Sequence, residues 1–184
     1  MNPRGNPAGP SHSSSNGILR LFVYGTLKRG FWNHDHFCQG FLGVEEAWVR
    51  GRLFETSSRI PVLRVPEEDI LAVGTANPLA DSATQAELTA RVFDPDSSGR
   101  LPAAAPGEPW GPVQGEIFTF DDPEIRLPAI DRLEGFNPGG LCLYRRVLVP
   151  VRAGGNLLLA WLYAAGDHWG GRLRELPGGI WPPA

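Results

Sequence analysis

The stretch that decides the fold is residues 18–30, which read ILRLFVYGTLKRG. Residues 18–24 are mostly leucine, β-branched or aromatic, so they predict a strand that is buried on both faces. Gly25 ends this strand, and a glycine turn there directs successive backbone N–H groups towards one point, where they can bind an anion such as a carboxylate. Thr26 adds a hydroxyl donor. An ordinary strand-to-loop turn has the same pattern, and the pattern alone favours that simpler interpretation.

The other predicted elements are short, and most of them are strands. Strands are predicted at residues 48–54, 60–65, 113–120, 144–151 and 156–164. A short helix is predicted at residues 83–92, and another follows Asp122 with Pro123 at its first position. Pro128 either kinks this second helix or restarts it. Because strands outnumber helices, the sequence predicts an α+β fold with a largely antiparallel or mixed sheet that can close into a barrel.

Composition excludes several classes of function. The 184 residues carry 17 Lys and Arg against 20 Asp and Glu, a formal net charge of −3, so no general attraction to nucleic acid or anionic membranes is expected. The longest apolar run, residues 157–165, is too short to cross a bilayer, and no secretory signal is visible. Cys38 and Cys142 are interpreted as reduced thiols, which predicts a cytoplasmic location.

Two segments depart from the composition of a packed core. Residues 1–17 are mostly Asn, Pro, Gly and Ser and are predicted to form a flexible tail. Residues 18–184 are predicted to form a single domain with an insertion rich in Pro and Ala at about residues 66–112. The favoured interpretation of this insertion is a disordered surface loop. The alternative is a lid over a site, with Trp110 near its return point.

A candidate acid/base lies in IDRLEGF, residues 130–136. Glu134 is expected at a helix C-terminus, where unpaired carbonyl groups and burial beside Phe136 would raise the pKa of its carboxyl group. Such a carboxylate is a better general base near neutral pH. The pattern alone favours a solvated residue at the end of a helix, and Asp131 and Arg132 are expected at the surface in either case.

These motifs together resemble a known family. VYGTLKRG (residues 23–30), NH (33–34), GEI (115–117), IDRLEGF and YR (144–145) occur in the order typical of γ-glutamylcyclotransferase-like (AIG2-like) proteins. The resemblance covers about residues 21–163 and looks closest to the γ-glutamylamine cyclotransferase branch. Ile130 stands where the family usually has Leu. The stretch before Gly115 is longer than usual, so the resemblance does not predict which of its residues contribute to the substrate pocket.

The resemblance implies a small mixed, mostly antiparallel β-barrel flanked by short helices. It implies that the substrate's own α-amine attacks its γ-carbonyl group and releases 5-oxoproline and a free amine, with Glu134 as acid/base. It implies no metal, nucleotide or other cofactor and no covalent nucleophile. The substrate's α-carboxylate would bind the backbone N–H groups of a loop formed by Tyr24, Gly25, Thr26 and Leu27. Asn33 is expected to support this loop, and Tyr144 is either a pocket residue or a strand residue that packs on the barrel.

Other interpretations stay open. The same chemistry would serve to remove a γ-glutamyl group from a biosynthetic intermediate. A non-catalytic small-molecule binding module is the main rival, although Glu134 argues against it, because a carboxylate beside an anion-binding loop is costly unless it is used. An interaction protein whose insertion contacts a partner is a third possibility. His34, His36 and Cys38 do not form a standard zinc pattern, so a polar loop or helix start is favoured there. The expected partner is a small γ-glutamyl substrate, and the oligomeric state is not predicted.

Overall fold

The computed structural model describes residues 17–93, 109–166, 169 and 171–183. The predicted tail lies outside these residues except for Gly17. The elements are β1 (Leu19–Val23), α1 (Trp32–Phe37), β2 (Gly43–Glu55), β3 (Pro61–Arg64), a 3₁₀ turn (Glu67–Asp69), β4 (Ala72–Val73), α2 (Pro78–Val92), β5 (Gly111–Phe120), α3 (Pro123–Glu134), β6 (Tyr144–Ala153), β7 (Asn156–Ala165) and β8 (Arg174–Glu175). Within the described ranges, no helix is long and apolar enough to cross a membrane.

Five strands close into a barrel in the order β2, β5, β1, β7, β6 and back to β2. β1 and β7 are parallel and meet at Leu21 and Trp161, whereas the other pairings around the barrel are antiparallel. The barrel closes where Ala47 of β2 pairs with Ala153 of β6. β3 and β8 pair with the second half of β2, and β4 pairs with β6. The predicted α+β fold, a small mixed and mostly antiparallel barrel flanked by short helices, is confirmed.

Alternate residues of β1 enter two separate hydrophobic clusters. Phe22 packs in the barrel interior with side chains of β2, β5, β6 and β7. Leu19, Leu21 and Val23 point to the other side, where α3 covers them with Leu127. The prediction that this strand is buried on both faces is therefore confirmed. Because both faces are packed, the position and direction in which the chain leaves Val23 are well determined.

The predicted insertion contains a long, packed helix. α2 begins at Pro78, five residues before the predicted start, and Oδ1 of Asn77 caps it by accepting a hydrogen bond from the Ala80 amide. Gln85 of α2 binds the start of β1, since its Oε1 accepts from the Arg20 amide and its Nε2 donates to the carbonyl oxygen of Ile18. The interpretation as a disordered surface loop is therefore wrong for residues 66–93. Residues 94–108 lie outside the described residues.

The remaining predicted elements are present with shifted ends. β2 begins at Gly43, before the predicted residue 48, and α3 runs unbroken from Pro123 to Glu134 with Pro128 inside it. Gly135 ends α3 with a φ of 61°, a left-handed conformation that favours glycine. The C-terminal segment, for which no clear element is predicted, contains β8 and pairs with β2. This pairing brings the C-terminal residues back to the barrel.

Candidate active site

All seven predicted site residues line one cavity of about 400 Å³. They come from the loop after β1, from α1, from the end of α3 and from the start of β6. These residues are Tyr24, Gly25, Thr26, Leu27, Asn33, Glu134 and Tyr144. The structure therefore brings together the residues that the sequence motifs single out, whereas the role of each residue stays a prediction.

The loop after β1 presents unpaired donors. The carbonyl oxygen of Gly25 accepts a hydrogen bond from the Lys28 amide at 3.1 Å, which closes a turn. The N–H groups of residues 25–27 donate to no acceptor in the described part of the chain. A Cβ atom on Gly25 would lie 2.7 Å from Cγ of Pro61, so only glycine lets the loop pack this closely under β3. Successive free N–H groups of this kind can bind an anion.

Helix α1 holds this loop from the other side. Asn33 donates from Nδ2 to the Thr26 hydroxyl oxygen at 2.8 Å, so the Thr26 O–H is free to donate elsewhere. Nδ1 of the buried His34 lies 3.2 Å from the carbonyl oxygen of Leu27. The His34 ring packs 5.4 Å from the ring of Phe118. The Asn-His pair thus supports the loop through one polar contact each, and His34 adds a fixed apolar contact with the barrel wall.

Glu134 is the last residue of α3, and its carboxylate makes no hydrogen bond or ion pair with another described residue. Burial raises the pKa of Glu134 from 4.5 to about 7. The hydroxyl groups of Tyr24 and Tyr144 donate to the carbonyl oxygens of Tyr163 and Pro61, each at 2.7 Å. Burial first, and then charges that include Glu134, raise the pKa of both phenols above their usual range. Tyr24 and Tyr144 are therefore neutral neighbours, and Glu134 can accept or donate a proton near neutral pH.

A buried network anchors the end of α3 to the barrel. Asp131 lies one turn before the end of α3 and accepts hydrogen bonds from the Tyr163 hydroxyl at 2.7 Å and from Nη1 of Arg146 at 3.0 Å. Arg146 is fully buried, and its Nη2 donates to Asp81 of α2 at 2.6 Å. The expectation that Asp131 is a surface residue is therefore wrong. Arg146 alternates with Tyr144 and Leu148 on one face of β6, and this position is the sequence signal for a buried cation, which needs carboxylate partners.

Two stretches that the sequence motifs do not mark also line the cavity. The turn between β2 and β3, with the first residue of β3, contributes Arg59 and Pro61, and the C-terminal segment contributes Trp181. Trp181 is buried, donates from Nε1 to Glu55 at 3.1 Å, and packs 5.2 Å from the ring of Phe31. Its carbonyl oxygen also accepts a hydrogen bond from the side chain of Lys28. Leu176 and the tryptophans of this Gly- and Pro-rich segment are the local signal that it returns to the core.

Similarity to a solved structure with a TM-score of 0.50 supports the fold. YkqA from Bacillus subtilis is 18% identical, with a TM-score of 0.50 over 89% of this chain, which spans 39% of the length of YkqA. An AIG2-like protein from Mus musculus is 20% identical, covering 81% of this chain and 78% of that one, with a TM-score of 0.46. A γ-glutamyl cyclotransferase specific to glutathione from yeast is 12% identical, covering 83% and 72%, with a TM-score of 0.46. At 18% identity, the similarity to YkqA shows the fold alone.

Sequence comparison shows the family. No curated protein matches the sequence. The family described as gamma-glutamyl cyclotransferase, AIG2-like, matches over residues 21–90 and 71–182, two overlapping stretches that together cover the barrel, all three helices and the cavity. The chain therefore belongs to the AIG2-like family of γ-glutamyl cyclotransferases.

Proposed function

We propose that the protein is a γ-glutamyl cyclotransferase that converts a γ-glutamyl amide into 5-oxoproline and a free amine. The observation that carries the proposal is the placement of two complementary groups in one cavity. Glu134 supplies an unpaired carboxyl group whose pKa is about 7, and residues 25–27 supply unpaired N–H groups. A volume of about 400 Å³ lies within the usual range for small-molecule sites.

The two ends of the γ-glutamyl group match these two features. The α-carboxylate would accept hydrogen bonds from the free N–H groups of the loop and from the hydroxyl group of Thr26, which Asn33 orients. The α-ammonium group would then face Glu134. Tyr24 and Tyr144 form neutral walls whose hydroxyl groups are already engaged, so they contribute shape and exclude water.

The proposed reaction needs one acid/base and one well-held substrate. Glu134 takes a proton from the α-ammonium group, and the amine nitrogen attacks the γ-carbonyl carbon to close a five-membered ring. The bond between this carbon and the leaving nitrogen then breaks as Glu134 returns its proton to that nitrogen. The ring nitrogen then loses one more proton. The released amine takes up this proton, because the amine is protonated at neutral pH. Because the attack is intramolecular, positioning supplies much of the acceleration.

The pKa of about 7 that burial gives Glu134 suits both proton transfers of the proposed reaction. A carboxyl group with a pKa near the working pH is deprotonated often enough to act as a base and is acidic enough to return the proton. The anchor formed by Asp131, Arg146 and Tyr163 would hold α3 against the barrel while Glu134 changes charge. The γ-glutamylamine branch and a cytoplasmic location belong to this proposal as well, and fractionation of cells that produce the protein tests the location.

The direct test is the release of 5-oxoproline from a panel of γ-glutamyl amines, γ-glutamyl amino acids and glutathione. We expect the wild type to release it and Glu134→Gln to lose at least 100-fold in rate, in line with general acid–base catalysis by a positioned side chain. Glu124→Gln is the matched control, because it removes an exposed carboxylate from the opposite end of the same helix. Its activity should equal that of the wild type.

The alternatives give different outcomes. Equal activity of the wild type and Glu134→Gln refutes the role of Glu134. A folded wild type that binds γ-glutamyl compounds in calorimetry but releases no 5-oxoproline is a binding module. A wild type that neither binds nor cleaves any compound in the panel contradicts the proposal as a whole.

A further inference from the structure

Arg59 is a basic residue at the mouth of the cavity that the proposed mechanism does not use. It lies in the turn between β2 and β3 and lines the cavity, and its side chain is exposed to solvent. Its φ is 61°, and no other residue except glycine has a positive φ in the part of the chain that the structure describes. An arginine in the left-handed region is uncommon and is maintained only where the surroundings determine it.

Three hydrogen bonds of Thr56 hold the surrounding turn. Thr56 donates its N–H to the carbonyl oxygen of Ile60 and accepts from the Arg59 amide, and its hydroxyl oxygen accepts from the Ile60 amide, each at 3.0 Å. Pro61 then contacts both the Gly25 loop and the hydroxyl group of Tyr144. The backbone that carries Arg59 is thus fixed directly against the candidate substrate loop.

The charge of Arg59 is not neutralised locally. Among the described residues that line the cavity, Arg59 and Glu134 alone are charged, and Arg59 forms no ion pair with another described residue. Glu55, which the charge of Arg59 influences, is already engaged by Nη2 of Arg174 at 2.6 Å and by the Trp181 indole. These hydrogen bonds, together with the charge of Arg59, lower the pKa of Glu55. Arg174 therefore holds the Glu55 carboxylate, and the Arg59 guanidinium keeps its positive charge without an ion-pair partner among the described residues.

The two ends of the cavity favour different parts of a substrate. The unpaired N–H groups and Glu134 would hold the γ-glutamyl end, so the leaving amine would extend towards the exposed mouth, where Arg59 lies. We propose that Arg59 is a specificity residue that favours γ-glutamyl amides whose leaving amine carries a carboxylate and disfavours amines that carry a second positive charge. This inference rests on the proposed function and assigns the leaving-group side of the same site.

Three substrates of similar size differ in the charge that the leaving amine carries. γ-Glutamylglycine carries a carboxylate on the leaving amine, γ-glutamylglycinamide is its neutral counterpart, and γ-glutamyl-ethylenediamine carries an ammonium group. For the wild type we expect kcat/KM for γ-glutamylglycine to exceed that for the glycinamide by about fivefold, the scale of an exposed ion pair, and the ethylenediamine compound to be the poorest. The preference should shrink in 0.5 M NaCl, since salt screens exposed charges.

Two substitutions separate charge from backbone conformation. Arg59→Gly removes the charge and tolerates the positive φ, so the ratio of kcat/KM between γ-glutamylglycine and the glycinamide should fall to about one. Arg59→Lys keeps the charge and should retain most of the preference. Arg64→Gln is the matched control: Arg64 is an exposed arginine on β3 that does not line the cavity and stacks over Phe54. It should leave the preference unchanged.

Two results would overturn the inference while leaving the proposed function intact. If Arg59→Gly lowers kcat/KM equally for all three substrates, Arg59 serves the γ-glutamyl end. If the variant changes none of them, Arg59 has no role in specificity.

Calorimetry with the Glu134→Gln variant, alone and with Arg59→Gly, measures the same preference as binding. Binding of γ-glutamylglycine without turnover by the wild type would refute the cyclotransferase and still decide the role of Arg59. Absence of binding would overturn both.

Discussion

Replacing Glu134 with glutamine should make the fold more stable at neutral pH, although it removes the proposed acid/base. Burial raises the pKa of Glu134 from 4.5 to about 7. Below pH 4.5 the carboxyl group is protonated in both the folded and the unfolded chain, so ionisation costs nothing. Between these two values the unfolded chain releases the proton and the folded chain keeps it. The free energy of unfolding therefore falls as the pH rises and levels off above about 7.

The size of this effect follows from the shift. At about 1.36 kcal/mol per pH unit, the wild type loses roughly 3 kcal/mol of stability in total at high pH. Glutamine has nearly the same shape and does not titrate. The stability advantage of Glu134→Gln over the wild type should therefore grow by about 2.5 kcal/mol between pH 5 and pH 8. Carboxylates elsewhere titrate in both proteins and cancel in the difference.

Urea unfolding followed by tryptophan fluorescence measures this difference at several pH values. Glu124→Gln, at the exposed start of the same helix, is the control and should change the free energy of unfolding by less than about 1 kcal/mol at every pH. An advantage of Glu134→Gln that stays constant within about 0.5 kcal/mol from pH 5 to pH 8 would refute the claim that burial raises the pKa of Glu134.

Three further predictions concern the same cavity and its supports. For 5-oxoproline release, kcat/KM should fall about tenfold per pH unit below pH 6, because Glu134 must lose its proton to act as a base, and a pH titration of initial rates measures this. Asp81→Ala leaves the buried Arg146 with one carboxylate fewer and should cost about 3 kcal/mol or more in urea unfolding. Gly25→Ala places a Cβ atom 2.7 Å from Cγ of Pro61, so we expect a loss of about 1–3 kcal/mol in stability and reduced activity from a displaced loop.

Two control substitutions lie where an exposed side chain or free space around the residue makes a large effect unexpected. Asp35 is an exposed carboxylate on α1, and Asp35→Ala should cost less than about 1 kcal/mol. Gly43 has no atom within 4 Å of an added Cβ, so Gly43→Ala should change neither stability nor activity appreciably. A rate profile that is flat from pH 5 to pH 8, or an Asp81→Ala variant as stable as Asp35→Ala, would contradict the corresponding prediction. So would a Gly25→Ala variant with wild-type rates.

Local patterns were sufficient for most of the secondary structure. The β-branched and aromatic residues before Gly25 form β1, because such side chains pack well on both faces of a central strand. Glu134 lies at the end of α3 because Gly135 next to it adopts the left-handed conformation that ends the helix. Helix α2 was predicted too short, since its apolar periodicity is weak and buried polar contacts of Gln85 hold it in place. Contacts of that kind connect distant residues and leave no local periodicity.

The sequence by itself determined the two ends of the proposed chemistry, a glycine loop after a buried strand and a glutamate before a helix-ending glycine. Only the tertiary structure decided that the two share one cavity. Tyr24 and Tyr144, together with Trp181 from the C-terminal segment, form walls of that cavity, and burial there raises the pKa of Glu134. The tertiary structure also decides that Arg59 lies beside this cavity, because the β2–β3 turn that carries it packs against the Gly25 loop. Hydration and electrostatic potential depend on everything that surrounds a group in space, whereas a sequence motif specifies only its neighbours along the chain.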